Sequence, residues 1–296
     1  MFESWNGRAA MAALTTPYAA DGSIDRPAFA AHAQALLRRG LDGVVPFGTT
    51  GEGASLGLAE KRAALEHLVR AGIATDRIVA GVACAALPDA LEAVRHALAL
   101  GCRGVLVAPP FYFKGPDDEG LYAWYAQIIE GAGAAARGVV LYHIPSVTAV
   151  PLSPGLVNRL RAAFGAAIGA VKDSSGDLAT ARAFLKQTQV PLLIGSEDLL
   201  GGLLGEGALG SISGLANIVP ERLAALIHRA GSDGLLPPAV RALMTYPVIP
   251  AIKALHAHVA REPRWAHTRP PLAPLGAREQ QALGREWDAL LARHAA

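Results

Sequence analysis

The sequence predicts an α/β protein, a (β/α)8 barrel followed by extra C-terminal helices. Two observations carry that prediction. Eight short runs that are apolar throughout alternate with amphipathic stretches over the first part of the 296-residue chain. No glycine-rich GxGxxG fingerprint follows the first run, which continues instead as "TTPYAADGSID". Strands apolar on both faces need cover on both, which a parallel sheet receives from the helices between its strands. An open doubly wound sheet would carry the missing fingerprint, so eight such units point to a closed barrel.

The runs fall at 9–18, 43–52, 78–84, 104–111, 138–146, 167–175, 191–198 and 209–217. Helical patterns at 26–39, 58–71, 88–100, 119–130 and 178–188 separate them. Gly40, Gly72, Gly101 and Gly131 stand where helices should end, because glycine alone enters the left-handed C-terminal turn without steric cost. From about residue 221 the alternation stops. "ERLAALIHRA", "AVRALMTYPVIPAIKALHAHVA" and "AREQQALGREWDALLARH" read as further helices that pack on the barrel. The expected organisation is a catalytic barrel over 1–220 and C-terminal helices over 221–296.

Composition excludes several classes of function. With 52% apolar and 18% charged residues the chain buries a sizeable core and is not disordered. A net charge of +2 and no basic run give no electrostatic reason to expect nucleic acid or an anionic membrane as partner. No run of about 18 uncharged apolar residues is present, which predicts no membrane span. The start, with Glu3 and Arg8, lacks the apolar core of a secretory leader. Cys84 and Cys102 lack metal-ligand spacing and read as buried free thiols. A cytoplasmic location is the expectation.

In a (β/α)8 barrel the carboxyl ends of the strands build the active site. The second run ends in "GTTGE", the fifth in "YHIPS" and the sixth in "VKDSSGD". Thr49, Thr50, Tyr142 and Lys172, one of only five lysines, therefore reach one rim. Burial by the barrel walls penalises a charged amine and favours the free base. A free amine attacks a ketone to form an imine, and a nearby phenol can carry the protons. From context alone Lys172 could instead be an ion-pair partner of Asp173, Tyr142 a core aromatic, and Thr50 a helix cap.

"GTTGE", the tyrosine before "xIPS" and "VKxSSGD" together resemble the dihydrodipicolinate synthase / N-acetylneuraminate lyase family. The resemblance also takes in "ALTTPYxxDGSID", "APPFYFKGPDDEGLYAWY" and "GALGSISGLANIVP". It implies a class I lyase or aldolase that needs no cofactor, binding pyruvate or a related 2-oxo acid as a lysine imine. It also implies a homotetramer, commonly a dimer of tight dimers. Residue by residue, it makes Lys172 the imine-forming lysine, Tyr142 its proton donor and acceptor, and Thr49 the link in a hydroxyl relay. Tyr112 matches the aromatic lent to a neighbouring subunit's site. Thr50, Gly51, Ile212, Ser213 and the position of Val147 make up the substrate-binding set.

Two positions depart from the synthases. Val147 stands where they carry an arginine for the carboxylate of the aldehyde substrate, and a valine cannot make that bidentate pair. His143 replaces their usual asparagine. The expected activity is thus a pyruvate-type Schiff-base lyase, aldolase or dehydratase, taking small 2-oxo acids and aldehydes. The alternatives are dihydrodipicolinate synthase itself, a 2-keto-3-deoxy sugar acid dehydratase or aldolase, and a non-catalytic 2-oxo acid binding protein. Glu197 and Asp198 in "GSED" reach the rim where hydroxyls could be bound, unless Asp198 only caps the next helix.

Overall fold

Each of the eight apolar runs forms a strand. In a computed structural model that describes residues 7–229 and 231–294, they are β1 (Ala9–Ala13), β2 (Gly43–Val45), β3 (Val79–Val82) and β4 (Gly104–Val107), then β5 (Val139–His143), β6 (Ile168–Asp173), β7 (Leu192–Ile194) and β8 (Gly210–Ser213). Residues 1–6, including Glu3 on which the expectation of no leader rests, lie outside the described residues. All pairings are parallel, in the order β2-β1-β8-β7-β6-β5-β4-β3. The ring meets between β2 and β3 through a parallel bridge from Val44 to Ile78 and the Gly81 N–H donating to the Pro46 carbonyl at 2.8 Å. The chain is a (β/α)8 barrel.

Helices α1 (Arg26–Arg38), α2 (Leu58–Arg70), α3 (Leu87–Ala99) and α4 (Asp118–Ala132) follow the first four strands. The single turn α5 (Pro145–Thr148) and α6 (Pro154–Phe164) follow β5, with α7 (Leu178–Gln187) and α8 (Glu197–Gly205) after β6 and β7. Gly40, Gly72 and Gly101 take φ of 99°, 89° and 89°, the left-handed ends their positions imply. Gly131 does not: α4 runs through it, and Gly133, at φ 59°, ends that helix instead.

Beyond β8, α9 (Pro220–Arg229) packs against β1 and supplies the barrel's eighth helix. The helices additional to the barrel are therefore α10 (Leu236–Met244), α11 (Val248–Ala260) and α12 (Ala277–Arg293), which begin later than residue 221. They pack on the barrel through α10 against α8 and on one another through α10, α11 and α12. Helix α11 is buried over most of its circumference, as a helix apolar on nearly every side must be. Among the described residues no helix is long and apolar enough to cross a membrane, and Cys84 and Cys102 are free and buried.

Strand alternation sorts side chains into two cores. Ala9, Met11, Ala13, Val140, Ala170 and Ile212 fill the barrel interior. Their strand neighbours Ala10, Ala12, Leu141 and Val171 join the larger layer between sheet and helices. Tyr142 shares the interior parity of Val140, and Lys172 that of Ala170, so both point inward where the β5–β6 register sets them side by side.

Under α11 lies a buried histidine cluster. His256 and Trp265 stack with centroids 4.1 Å apart, and His32 lies tilted against both, 4.4 Å from His256 and 4.8 Å from Trp265. His32 Nε2 is 3.0 Å from Asn217 Oδ1, and His256 Nδ1 3.3 Å from Thr15 Oγ1. Burial pushes His32 down from 6.5 to about 4, against the opposing hydrogen bond to Asn217, and pushes His256 well down too. The unfolded chain takes up the His32 proton near its ordinary value, so this stability is whole above about pH 6.5 and is lost as pH falls toward 4. It amounts to about 3 kcal/mol for His32 alone. Urea unfolding at pH 7 and 4.5 should show that loss, and His32→Gln, which keeps a donor toward Asn217, should flatten it. An unchanged slope in that variant would place the titration elsewhere.

Candidate active site

The loop after β2 is wound tightly by two residues in the left-handed region, Phe47 at φ 63° and Glu52 at φ 56°. A Cβ at Gly53 would stand 1.8 Å from the Phe47 carbonyl oxygen, and one at Gly81 2.5 Å from it, so only glycine admits this fold of the loop. The loop carries Thr49 and Thr50 to the cavity wall. Glu52 is held in its costly conformation by what its carboxylate meets. Lys253 on α11 makes a fully buried ion pair with it, and the Arg269 N–H donates to Oε2 at 2.8 Å. Lys253 Nζ also donates to the Thr16 carbonyl at 2.9 Å, and the Thr16 hydroxyl donates to the Gly51 carbonyl at 2.7 Å. Burial lowers the pKa of Lys253, against the attraction of Glu52.

At the barrel centre Lys172 and Tyr142 are each 4% exposed. Lys172 Nζ donates to Tyr142 Oη at 3.3 Å and sits 4.4 Å from the ring centroid. Tyr142 Oη is 3.2 Å from Thr49 Oγ1, which completes a line of three polar groups from amine to loop. The expected meeting of Thr49, Tyr142 and Lys172 is what the structure shows. The ion-pair alternative is not: Asp173 faces the helix layer, its Oδ1 accepting from the Ser175 N–H at 2.9 Å and lying 4.0 Å from His143 Nε2. His143 Nδ1 accepts from the Leu152 N–H at 3.0 Å. Burial raises the Asp173 pKa and lowers that of His143, so the two groups next to Lys172 and Tyr142 on their strands are biased toward their neutral forms.

A cavity of about 230 Å³ opens above this line. That is room for an organic substrate, since a single water needs only about 15 Å³. Thr49, Thr50, Tyr142, Val147, Lys172 and Ile212 line it. Gly51 and Ser213, expected in the binding set, do not. Gly51 is spent on close packing, where a Cβ would meet the Leu14 carbonyl oxygen at 2.6 Å. The Ser213 side chain turns from the cavity to donate to Glu197 Oε1 at 2.5 Å while accepting from the Ala216 N–H at 3.0 Å. Tyr112 lies outside this chain's own cavity, 74% exposed and edge-on to Phe113 at 5.3 Å.

Glu197 lines the cavity, and its Oε1 also accepts from the Leu215 N–H at 3.1 Å. Asp198 is exposed in the first turn of α8, two residues beyond the capping position, which Ser196 holds. Thr50 makes no helix cap, since the short turn behind it takes Glu52 as its capping residue without a side-chain bond. The reading from sequence left out Lys253, Glu52 and the wall of α10 and α11. The signal for Lys253 is its position as a lone charge inside "VIPAIKALHAHVA".

The same arrangement stands on a scaffold shared with known proteins. The chain is 34% identical over 294 residues to the "Uncharacterized DapA-like lyase" of Chloroflexus aurantiacus, covering 96% of this chain and 97% of that one. It is 31% identical over 251 residues to the 4-hydroxy-tetrahydrodipicolinate synthase of Methanothrix thermoacetophila, covering 84% and 81% respectively. The crystal structure of dihydrodipicolinate synthase from Agrobacterium tumefaciens superposes with a TM-score of 0.92 at 40% identity, over 95% of this chain and 98% of that one. The sequence profile of the dihydrodipicolinate synthetase family matches residues 6–289, and the chain belongs to that family of lyases.

Proposed function

We propose that the protein is a class I lyase that binds pyruvate or a related 2-oxo acid as an imine on Lys172. The observation that carries this is the hydrogen-bonded line Lys172–Tyr142–Thr49, all three members of which line the cavity. The Lys172 amine adds to the keto carbon, and Tyr142 protonates the departing hydroxyl so that water leaves and the imine forms. The Thr50 hydroxyl and N–H hold the carboxylate, a role supported by Thr50 lining the cavity. Loss of a proton from C3 gives the enamine, which adds to an aldehyde; hydrolysis then frees Lys172. No cofactor enters any of these steps.

Two features set this chain apart from a synthase using an anionic aldehyde. Val147 lines the cavity, and among the described residues there no arginine replaces the missing cation. The exposed Tyr112–Phe113 pair supports contact between copies of the chain, in keeping with a homo-oligomer.

Borohydride reduction in the presence of pyruvate, followed by peptide mass spectrometry, tests the imine. The expected result is a stable adduct on Lys172 that is absent from Lys172→Ala. Wild-type protein that takes up neither pyruvate nor a longer 2-oxo acid would overturn the reading.

A further inference from the structure

The mouth of the cavity is apolar where it meets water. Val147, Met244 and Val248 line it while remaining 58%, 65% and 37% exposed, and Leu243 and Ile252, both buried, extend the same wall downward. The wall has two sides. Val147 follows β5, whereas α11 is tied to the end of β1 through Lys253 and Thr16, and β1 and β5 lie half a barrel apart. Large apolar side chains left in water around a reactive cavity mark a surface that a ligand covers.

The charges point the same way. Among the described residues that line the cavity, Lys172 is the only basic side chain and Glu197 the only carboxylic acid. On the imine reading, which this inference rests on, Lys172 is taken up by the 2-oxo acid. An incoming aldehyde with a carboxylate would then find no cation and would meet the Glu197 carboxylate. Leaving such a charge unpaired in a partly desolvated site is costly.

We infer that the second substrate is an aldehyde with an uncharged apolar substituent, aromatic or branched aliphatic, seated against Val147, Met244 and Val248. The enamine carbon bonds to the aldehyde carbon as the carbonyl π bond breaks, and the carbonyl oxygen takes a proton from Tyr142. Water then cleaves the resulting iminium, releasing a 4-hydroxy-2-oxo acid, restoring the Lys172 amine and returning a proton to Tyr142.

The test uses the whole protein with pyruvate and three aldehydes: benzaldehyde, glyceraldehyde and 4-oxobutanoate. Product is followed by liquid chromatography and mass spectrometry, and the pyruvate adduct on Lys172 is trapped in parallel. Expected is a kcat/KM for benzaldehyde at least about 100-fold above that for 4-oxobutanoate. Met244→Lys, at an exposed position that tolerates a lysine, should shift that ratio at least about tenfold toward 4-oxobutanoate. An adduct with pyruvate but equal or faster reaction of 4-oxobutanoate or glyceraldehyde, or no reaction of benzaldehyde, overturns this inference and leaves the imine reading standing. Absence of any adduct overturns both.

Discussion

Lys253→Met is expected to lower the free energy of unfolding by about 3–5 kcal/mol, the usual cost of removing one partner from a buried ion pair. The pair with Glu52 is fully buried, and Glu52 loses its cation while its left-handed backbone still needs a reason to persist. Glu52→Gln should destabilise in the same direction, since its amide keeps one accepting oxygen and turns an NH2 toward the other of the two donors, Lys253 or the Arg269 N–H. Replacing both partners with apolar residues, as in Lys253→Met with Glu52→Leu, should recover part of the loss of Lys253→Met alone. Urea denaturation of the three variants is the measurement. A loss below about 1 kcal/mol for Lys253→Met, the range of solvated surface pairs, would show that water reaches the pair.

Removing the Tyr142 hydroxyl should have the largest effect on chemistry. Tyr142→Phe is expected to slow turnover by about 10²–10⁴-fold, the range over which a positioned acid or base accelerates proton transfer. The ring remains, so the barrel interior keeps its packing and the fold should be retained. The variant should still give the Lys172 adduct with pyruvate on long incubation, because the amine is intact, but at a much lower initial rate. Stopped borohydride trapping reads that rate directly. A Tyr142→Phe protein trapping within threefold of wild type would remove Tyr142 from the proton path.

The strand-end rule of the barrel makes the centre of the site legible in the sequence. Apolar strands give the barrel, the barrel rule places the strand ends, and neighbouring strands bring Tyr142 and Lys172 together. Alternation also separates Asp173 from Lys172, although adjacency in sequence suggests an ion pair. Other features depend on contacts between distant parts of the chain. Lys253 and Glu52 are 201 residues apart, and no local pattern ties a lysine in the C-terminal region to the loop after β2. Gly51 and Ser213 sit inside recognisable motifs, yet one is required for backbone packing and the other to hold Glu197. A motif marks that a residue is needed without saying which surface it faces. The end of α4 escaped for a simpler reason, since two glycines stand two positions apart and only one takes the left-handed turn.

The exposure of Val147, Met244 and Val248 has a practical consequence for engineering. Substitutions at solvated positions usually change stability by no more than about 0.5 kcal/mol. A combinatorial library randomised at these three positions should therefore stay almost entirely folded while sampling many cavity mouths. Lys172, Tyr142 and the Lys253–Glu52 clamp sit in buried structure and can be left untouched. On the proposed reading, the side chains that choose the substrate are separate from those that activate it.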